Sequence, residues 1–449
     1  MQKQGFLRKF IRGGVWALLF RAFTVVTNLA LSMLIARMLA PDQVGVYFLL
    51  VSLVSVIAVF AQAGLNIAIV RIISKYCALG NNGKVGSSIK KSLFLGLLTS
   101  LASALLLYFG GLELLSTHIF NLTAIYDYRL FISIWVVLWC LESLNAEIYR
   151  GFKQFHLAVL FKRLAPNIVI MVITVTLYIR HTAISLDDYL LVVLIGWLIS
   201  LLISSLLLQK YILTDKQGDA VDFHQLISKS IPLWFTGWIT FALPQLDLWI
   251  LGVFESSEAL ALYGAATRLV MFLGLPLLIV QAVVPPLISE AHATNRLSDL
   301  TRGLQTISAI SFYPGLIISL IYLISGEMVL KLVFGDTYNE AAIVLKILTI
   351  GYIIKLYSGS SQTLLMMSGH GKITMMVSIT TGTLLVVGCL LVGKNSGMIG
   401  IAVVSVIALS LHSILNLIFA RIQLGIWAIP WIRARQIKRY LGMIWHPLR

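Results

Sequence analysis

Two opposite charges, Asp247 and Arg268, stand inside apolar runs on either side of a polar turn at Glu255–Glu258. The stretch from Pro232 to Glu290 therefore reads as a membrane hairpin. Counted from Ser257, Asp247 lies ten residues back and Arg268 eleven residues on. At about 1.5 Å per residue both reach one depth, about 15 Å down. A charge there costs on the order of 3 kcal/mol, so such residues face a protein interior or a wet cavity and mark a site. Two roles fit the pair. One is a buried lock between neighbouring helices; the other is an anion site in which Arg268 receives the substrate and Asp247 orients or releases it.

Further polar residues recur at helical spacing. Arg21, Thr24, Asn28 and Ser32 follow one another at steps of three and four, Ser52, Ser55, Gln62 and Asn66 share one face, and Thr236, Thr240 and Asp247 repeat the pattern. Serine and threonine in such helices usually bond the backbone, so the stripes matter because they include charge. Glu142 and Asn145 form a second polar pair, and Lys346 and Lys355 lie nine residues apart, on nearly opposite faces. Lys355 is nearer mid-membrane, whereas Lys346 can snorkel to the outer surface. Glu147 stands three residues before Arg150, the spacing of a local ion pair. By depth Arg21 falls in the inner half, Lys355 near the middle and Arg268 in the outer half. Cations at three levels suit an anionic passenger; an organic cation calls for carboxylates, of which only Asp247 and Glu142 are offered.

No soluble-enzyme motif accompanies these residues. There is no phosphate-binding loop, no dinucleotide fingerprint and no paired His/Cys metal spacing. We therefore expect no cofactor, no metal and no catalytic residue. Cys77, Cys140 and Cys389 are odd in number and scattered, which suggests packing residues rather than a disulfide framework.

The elements that position these residues follow from hydropathy. The chain of 449 residues is 59% hydrophobic and 12% charged, with a mean hydropathy of +0.93, far from the one-quarter charged share of a soluble globule. Its apolar runs are long enough for helices to cross a core of about 30 Å. An all-α polytopic membrane protein of about twelve spans results, near 14–39, 45–74, 90–112, 129–149, 156–180, 187–210, 230–254, 259–288, 304–326, 339–366, 373–393 and 398–421. The formal charge of +16 is not a nucleic-acid footprint, because the cations punctuate the helices. With the N-terminus inside, 25 basic residues fall on the cytoplasmic side and only five, Arg37, Arg129, Arg180, Lys331 and Lys394, on the other. That bias predicts cytoplasmic termini. Lys3, Arg8, Lys9 and Arg12 precede a run longer than a signal peptide's, so it reads as a retained first span.

The polar linker from Thr214 to Ser228 divides the spans six and six, giving a bundle over 1–212, a linker over 213–229, a second bundle over 230–424 and a tail over 425–449. The tail, basic from Arg433 to Arg439 and flanked by Trp427, Trp431 and Trp445, is expected to lie on the anionic inner leaflet. The halves echo each other, as in transporters built from repeats. MLIARMLAPDQVGVYFLL at 33–50 lies over WILGVFESSEALALYGAA at 249–266, an offset of 216 that matches Asp42 with Glu258 and Tyr47 with Tyr263. The turn RGFKQFHLA from Arg150 matches SGHGKITMM from Ser368, aligning Gly151 with Gly369, two residues out of that register.

The stretch LIARMLAPDQVGVYFLLVSLVSVIAVFAQAGLNIAIVRIISK resembles the polysaccharide transporter branch of the multidrug/oligosaccharidyl-lipid/polysaccharide (MOP) flippase superfamily. DLWILGVFESSEALALYGAA and the turns at Gly151 and Gly369 extend the resemblance over nearly the whole chain. It implies a MATE-like fold of two six-helix bundles around a cavity formed by spans 1, 2, 7 and 8, opening alternately to each side. It implies a bacterial inner-membrane flippase for undecaprenyl-diphosphate-linked oligosaccharides, either O-antigen or exopolysaccharide units. The bilayer and the polymerase or glycosyltransferase machinery are its implied partners. Arg21 and Arg268 occupy positions that are basic in this branch. The expected substrate-binding set is Arg21, Asn28, Gln62, Asn66, Asp247, Arg268 and Lys355, with Thr24, Glu142, Asn145 and Lys346 secondary. The two extra spans of lipid II flippases are absent, which argues against a peptidoglycan-precursor role. A cation-coupled drug exporter of the same fold and a membrane-embedded glycan enzyme or scaffold are the alternatives.

Overall fold

The computed structural model describes residues 2–120, 124–181, 184–212, 241–277 and 297–430, together with Trp234, Trp238 and Ile288. The linker over 213–229, Thr236, Thr240 and the tail beyond 430 lie outside the described residues. The chain forms two compact units, Met1–Gly264 and Ala265–Arg449.

In the first unit the helices are α1 (Gln2–Met38), α2 (Pro41–Ala61), α3 (Leu65–Ala78), α4 (Asn82–Leu106), α5 (Arg129–Gly151), α6 (Phe155–Ile179) and α7 (Leu186–Ile212), followed by the short α8 (Leu246–Phe254). The helix α9 (Ser257–Phe272) runs across the boundary of the units. The second unit continues with α10 (Leu297–Val333), α11 (Ala342–Ser358), α12 (Ser361–Met367) and α13 (Gly371–Leu424). Among the described residues nine helices are long and apolar enough to cross a membrane. One of them, α13, is two spans, because Gly397 breaks it at φ 53. Predicted spans 7 and 8 fall partly outside the described residues, and α8 and α9 are their described parts.

The breaks follow local chemistry. Pro41 opens α2, where its missing N–H costs nothing, and Asp42 sits in the first turn, facing the positive end of the helix dipole. The span predicted over 45–74 is bent rather than straight. Ala63 (φ 48) and Gly64 (φ 74) adopt left-handed backbone between α2 and α3. Asn81 starts α4 by accepting a hydrogen bond from Lys84 N at 3.0 Å. The centre of the first unit is α5, whose Ala146, Ile148 and Tyr149 pack with Ile69 and Ile73 of α3, Ile89 of α4, Phe161 of α6 and Leu208 of α7. In the second unit Leu304, Leu364, Leu365 and Ala420 form a corresponding cluster with Ile288 and Ala428.

Backbone geometry corrects the repeat register. Left-handed residues fall at Lys153 (φ 63) and Gly369 (φ 86), and again at His181 (φ 52) and Gly397 (φ 53), each pair 216 apart. Gln154 N donates to Tyr149 O at 3.0 Å, as His370 N donates to Leu365 O at 2.9 Å. Leu39 N to Ile35 O and Glu255 N to Leu251 O repeat the offset, both at 2.9 Å. One offset of 216 therefore runs through both halves. The partner of Gly369 is Lys153, not Gly151. Gly151 is a glycine for another reason: a Cβ there would press on Ile73 at 2.8 Å, so it lets α5 approach α3.

Candidate functional site

At one end of the first unit α5 and α6 bring two cations to a single carboxylate, and α1 brings a third near one of them. Glu147, nearly buried, accepts from Arg150 Nη1 at 3.0 Å and from Lys162 Nζ at 2.6 Å. Arg21 of α1 is exposed and close enough to Arg150 for their charges to repel. Lys162 and Arg163 sit on a π-helical turn, Leu160–Leu164, which inserts an extra residue into α6; such turns often occur at functional sites. Arg163 lies over the Trp139 ring, 4.7 Å from its centroid, and Trp139 stacks on Trp197 at 4.7 Å. The arrangement keeps positive charge in excess, which is what an anion in low dielectric requires.

Farther along α1, Asn28 Oδ1 accepts from Asn167 Nδ2 at 2.9 Å and remains exposed. Thr24 and Ser32 turn their hydroxyls back to Phe20 O and Asn28 O, at 2.7 and 2.9 Å, and so bond their own helix. Gln62 is buried at the α2–α3 bend, and Asn66 accepts from Ile67 N at 2.9 Å. Ser52 donates to Gln245 Oε1 at 3.1 Å and accepts from Trp249 Nε1 at 2.7 Å.

Asp247 occupies the first turn of α8, just after the 3-10 turn Leu243–Gln245. Its Oδ1 accepts from Leu248 N at 2.8 Å and its Oδ2 from the Tyr263 hydroxyl at 2.8 Å. Arg268 belongs to the second unit, where its charge acts on the buried Tyr338. Lys355 of α11 lies 4.8 Å from the Tyr352 ring centroid and acts electrostatically on His412, whose Nδ1 is 3.2 Å from Thr381 Oγ1. Lys346 is half-buried and 4.0 Å from Glu327, a surface pairing consistent with a snorkelling side chain.

The structure thus brings Arg21 to a basic cluster and Asn28 to Asn167. It places Glu142 and Asn145 in the seam between α5 and α7, with Glu142 fully buried. The local Glu147–Arg150 pair is present and gains Lys162 as a third member. Sequence reasoning missed Lys162, Arg163, Asn167, Gln245, Trp249 and Tyr263 as partners. Lys162 and Arg163 register in the sequence only as loop charges, and the remaining partners carry no charge or spacing that marks them.

Long apolar helices, a two-fold internal repeat and a buried polar cluster define a polytopic transporter-type membrane protein. Residues 10–292 match the polysaccharide biosynthesis protein family model, and 232–391 match the MatE model. The chain belongs to the polysaccharide biosynthesis protein family. It is 24% identical over 380 residues to the Shigella flexneri protein named "Putative O-antigen transporter", covering 82% of this chain and 87% of that one. An inward-facing multidrug resistance MATE family transporter of the MOP superfamily superposes with a TM-score of 0.73 at 13% identity, covering 90% and 94% of the two chains. The lipid II flippase MurJ, in an inward closed conformation, gives 0.70 at 16% identity over 91% and 87%. A MOP superfamily transporter from Pyrococcus furiosus gives 0.61 at 14% over 93% and 95%. The fold is that of MATE transporters.

Proposed function

We propose that this protein is a flippase that moves polyprenyl-diphosphate-linked oligosaccharides from the inner to the outer leaflet of the bacterial cytoplasmic membrane by alternating access. The observation that carries this reading is the cation excess of Arg150 and Lys162, both paired with Glu147, and Arg21, which stands near Arg150. A diphosphate brings about two negative charges into low dielectric, and fixed cations replace part of its lost hydration. Arg268 and Lys355 of the second unit are further proposed contacts for the diphosphate, with Asn28, Gln62, Asn66 and Asp247 as polar contacts. The name of the Shigella flexneri relative supports a glycan-lipid passenger, and the family match supports a place in polysaccharide assembly, beside polymerase or glycosyltransferase machinery.

The test is export of surface glycan in a strain lacking the native protein, with membrane levels confirmed for each variant. Charge-assisted hydrogen bonds contribute about 1.5–3 kcal/mol, so Arg21→Ala and Arg268→Ala should each lower export about 10-fold or more. Arg21→Lys should recover only part of it, because the bidentate fork is lost. Full export by both alanine variants at normal abundance would remove the anion path. A second reading, a cation-coupled multidrug exporter, draws on the MatE match over 232–391 and on the MATE fold. Drug resistance conferred without any effect on glycan would favour it.

A further inference from the structure

Glu142 is fully buried, and it lies two residues from Cys140, the midpoint of the 23-residue helix α5. At about 1.5 Å per residue it stands about 3 Å from the middle of the span. Its partners are hydroxyls. Ser200 Oγ meets Oε1, and Ser204 Oγ lies 2.6 Å from Oε2. Ser204 is also 3.1 Å from the Leu201 carbonyl and accepts from Asn145 Nδ2 at 3.0 Å, while Asn145 reaches Ser205 Oγ at 3.0 Å. Tyr149 donates to the Ser204 carbonyl at 2.7 Å.

Among the described residues none pairs Glu142 with a cation. On its own helix, Glu147 and Arg150 are paired with each other one to two turns away, and on α6 Lys162 is committed to Glu147. Arg163 lies over the Trp139 ring, and Cys140 points its thiol to Gly96 O of α4 at 3.8 Å. The remaining acidic, basic and histidine residues on α5 and the helices packed against it are Arg129 at the start of α5, Asp42 in the first turn of α2, Arg71 at the middle and Lys75 near the end of α3, Lys84, Lys90 and Lys91 on the first half of α4, His156 in the first turn of α6, and Asp187, Asp188 and Lys210 near the ends of α7. Tyr47 of α2 packs edge-on against Tyr189 of α7, nearly three turns from Ser200. An ionised carboxylate at mid-membrane with only neutral donors is costly.

The hydroxyl geometry suits the neutral acid instead. A hydroxyl has one donor and two acceptor lone pairs. If the acid proton sits on Oε2, it is donated to Ser204 Oγ, which accepts Asn145 as well and turns its own proton to Leu201 O. Ser200 then donates to the carbonyl-like Oε1, and every group is satisfied. The repeat sharpens the point. At the offset of 216 Glu142 and Ser200 correspond to Ser358 and Asn416, so the second unit holds neutral residues there.

We propose that Glu142 is a proton-binding site of the first unit. The carboxyl holds its proton while α5 and α7 are packed, and releases it to water when their seam opens. This stands apart from the basic cluster and does not depend on what is transported.

The test uses the full chain in nanodiscs, by infrared spectroscopy at a pH of about 6, where an ordinary glutamate is ionised. Wild type should show a protonated-carboxyl C=O band that is lost in Glu142→Gln and shifted in Ser204→Ala. The glutamine amide reproduces the neutral acid's bonds, so this variant should fold. A band unchanged by Glu142→Gln, or no such band, would overturn the site. For the opening step, thiol labelling of Ser205→Cys should rise several-fold more steeply with pH when Glu142 is present than in the Glu142→Gln background. Equal pH dependence in the two backgrounds would overturn the linked opening.

Discussion

Asp247 shows what a single charge reveals and what it hides. Its cost in hydrocarbon makes it conspicuous in the sequence, and the expectation that it is coupled to Arg268 rests on matched depth alone. Those two residues belong to different units, so the coupling stays a proposal, to be judged by a double-mutant cycle in which additive losses would count against it. Within its own unit the carboxylate is taken by Leu248 N and the Tyr263 hydroxyl. Tyr263→Phe should therefore cost about 1–3 kcal/mol by removing a donor to a part-buried carboxylate, measured as lost thermal stability in detergent, while Asp247→Asn should be milder because the amide oxygen still accepts from Leu248 N and the amide NH2 can donate to the Tyr263 oxygen. An unchanged melting temperature for Tyr263→Phe would show that the hydroxyl is dispensable. In the sequence Tyr263 stands out only as the repeat partner of Tyr47. The partner of Asn28 is Asn167, 139 residues away. Pairs of neutral side chains at such separations leave no periodic trace, whereas Arg21 and Glu147 announce themselves by charge.

Helices and their breaks are legible to a greater degree, since twenty-residue apolar runs and Gly/Pro punctuation act locally. The exceptions are instructive. The bend at Ala63–Gly64 lies inside what reads as one apolar run, and the repeat register slips by two when Gly151 is read as a turn residue, although it serves helix approach. With the register at 216, a further contact acquires meaning. A Cβ on Gly45 would overlap the Ser257 carbonyl and come within 3.0 Å of Ala261 N, and one on Gly264 would overlap the Phe48 ring. Gly45 and Ala261 are repeat equivalents, as are Phe48 and Gly264, so α2 meets α9 through self-corresponding positions. The Gly45 approach is backbone to backbone and no rotamer can relieve it. Gly45→Ala should hold the α2 and α9 N-termini apart with little loss of membrane level. Cysteines replacing Asp42 and Glu258 should then cross-link less readily than in the parent. Equal cross-linking would show that the contact is not required in the dominant state.

At the scale of the whole molecule, hydropathy and repeat structure fix the fold class, while charge placement alone speaks to orientation. The 25-to-5 distribution of basic residues predicts that the α3–α4 turn faces the cytoplasm, and the native cysteines supply a direct check. Cys77, near the end of α3, is exposed, whereas Cys140 and Cys389 are buried. Partial desolvation by its neighbours pushes the Cys77 thiol up, and the nearby Lys153 ammonium pulls it partly back. The thiolate is the reactive form. A raised value leaves less of it at neutral pH than an ordinary cysteine has, so labelling should be slow near neutrality and quicken as pH rises. A membrane-impermeant maleimide should leave Cys77 untouched in intact cells and label it in inside-out vesicles, faster at alkaline pH, with Cys77→Ser as the blank. Labelling in intact cells would invert the topology. It would also reverse which leaflet the Arg21–Arg150–Lys162 cluster faces, and with it the direction of entry for a diphosphate head group.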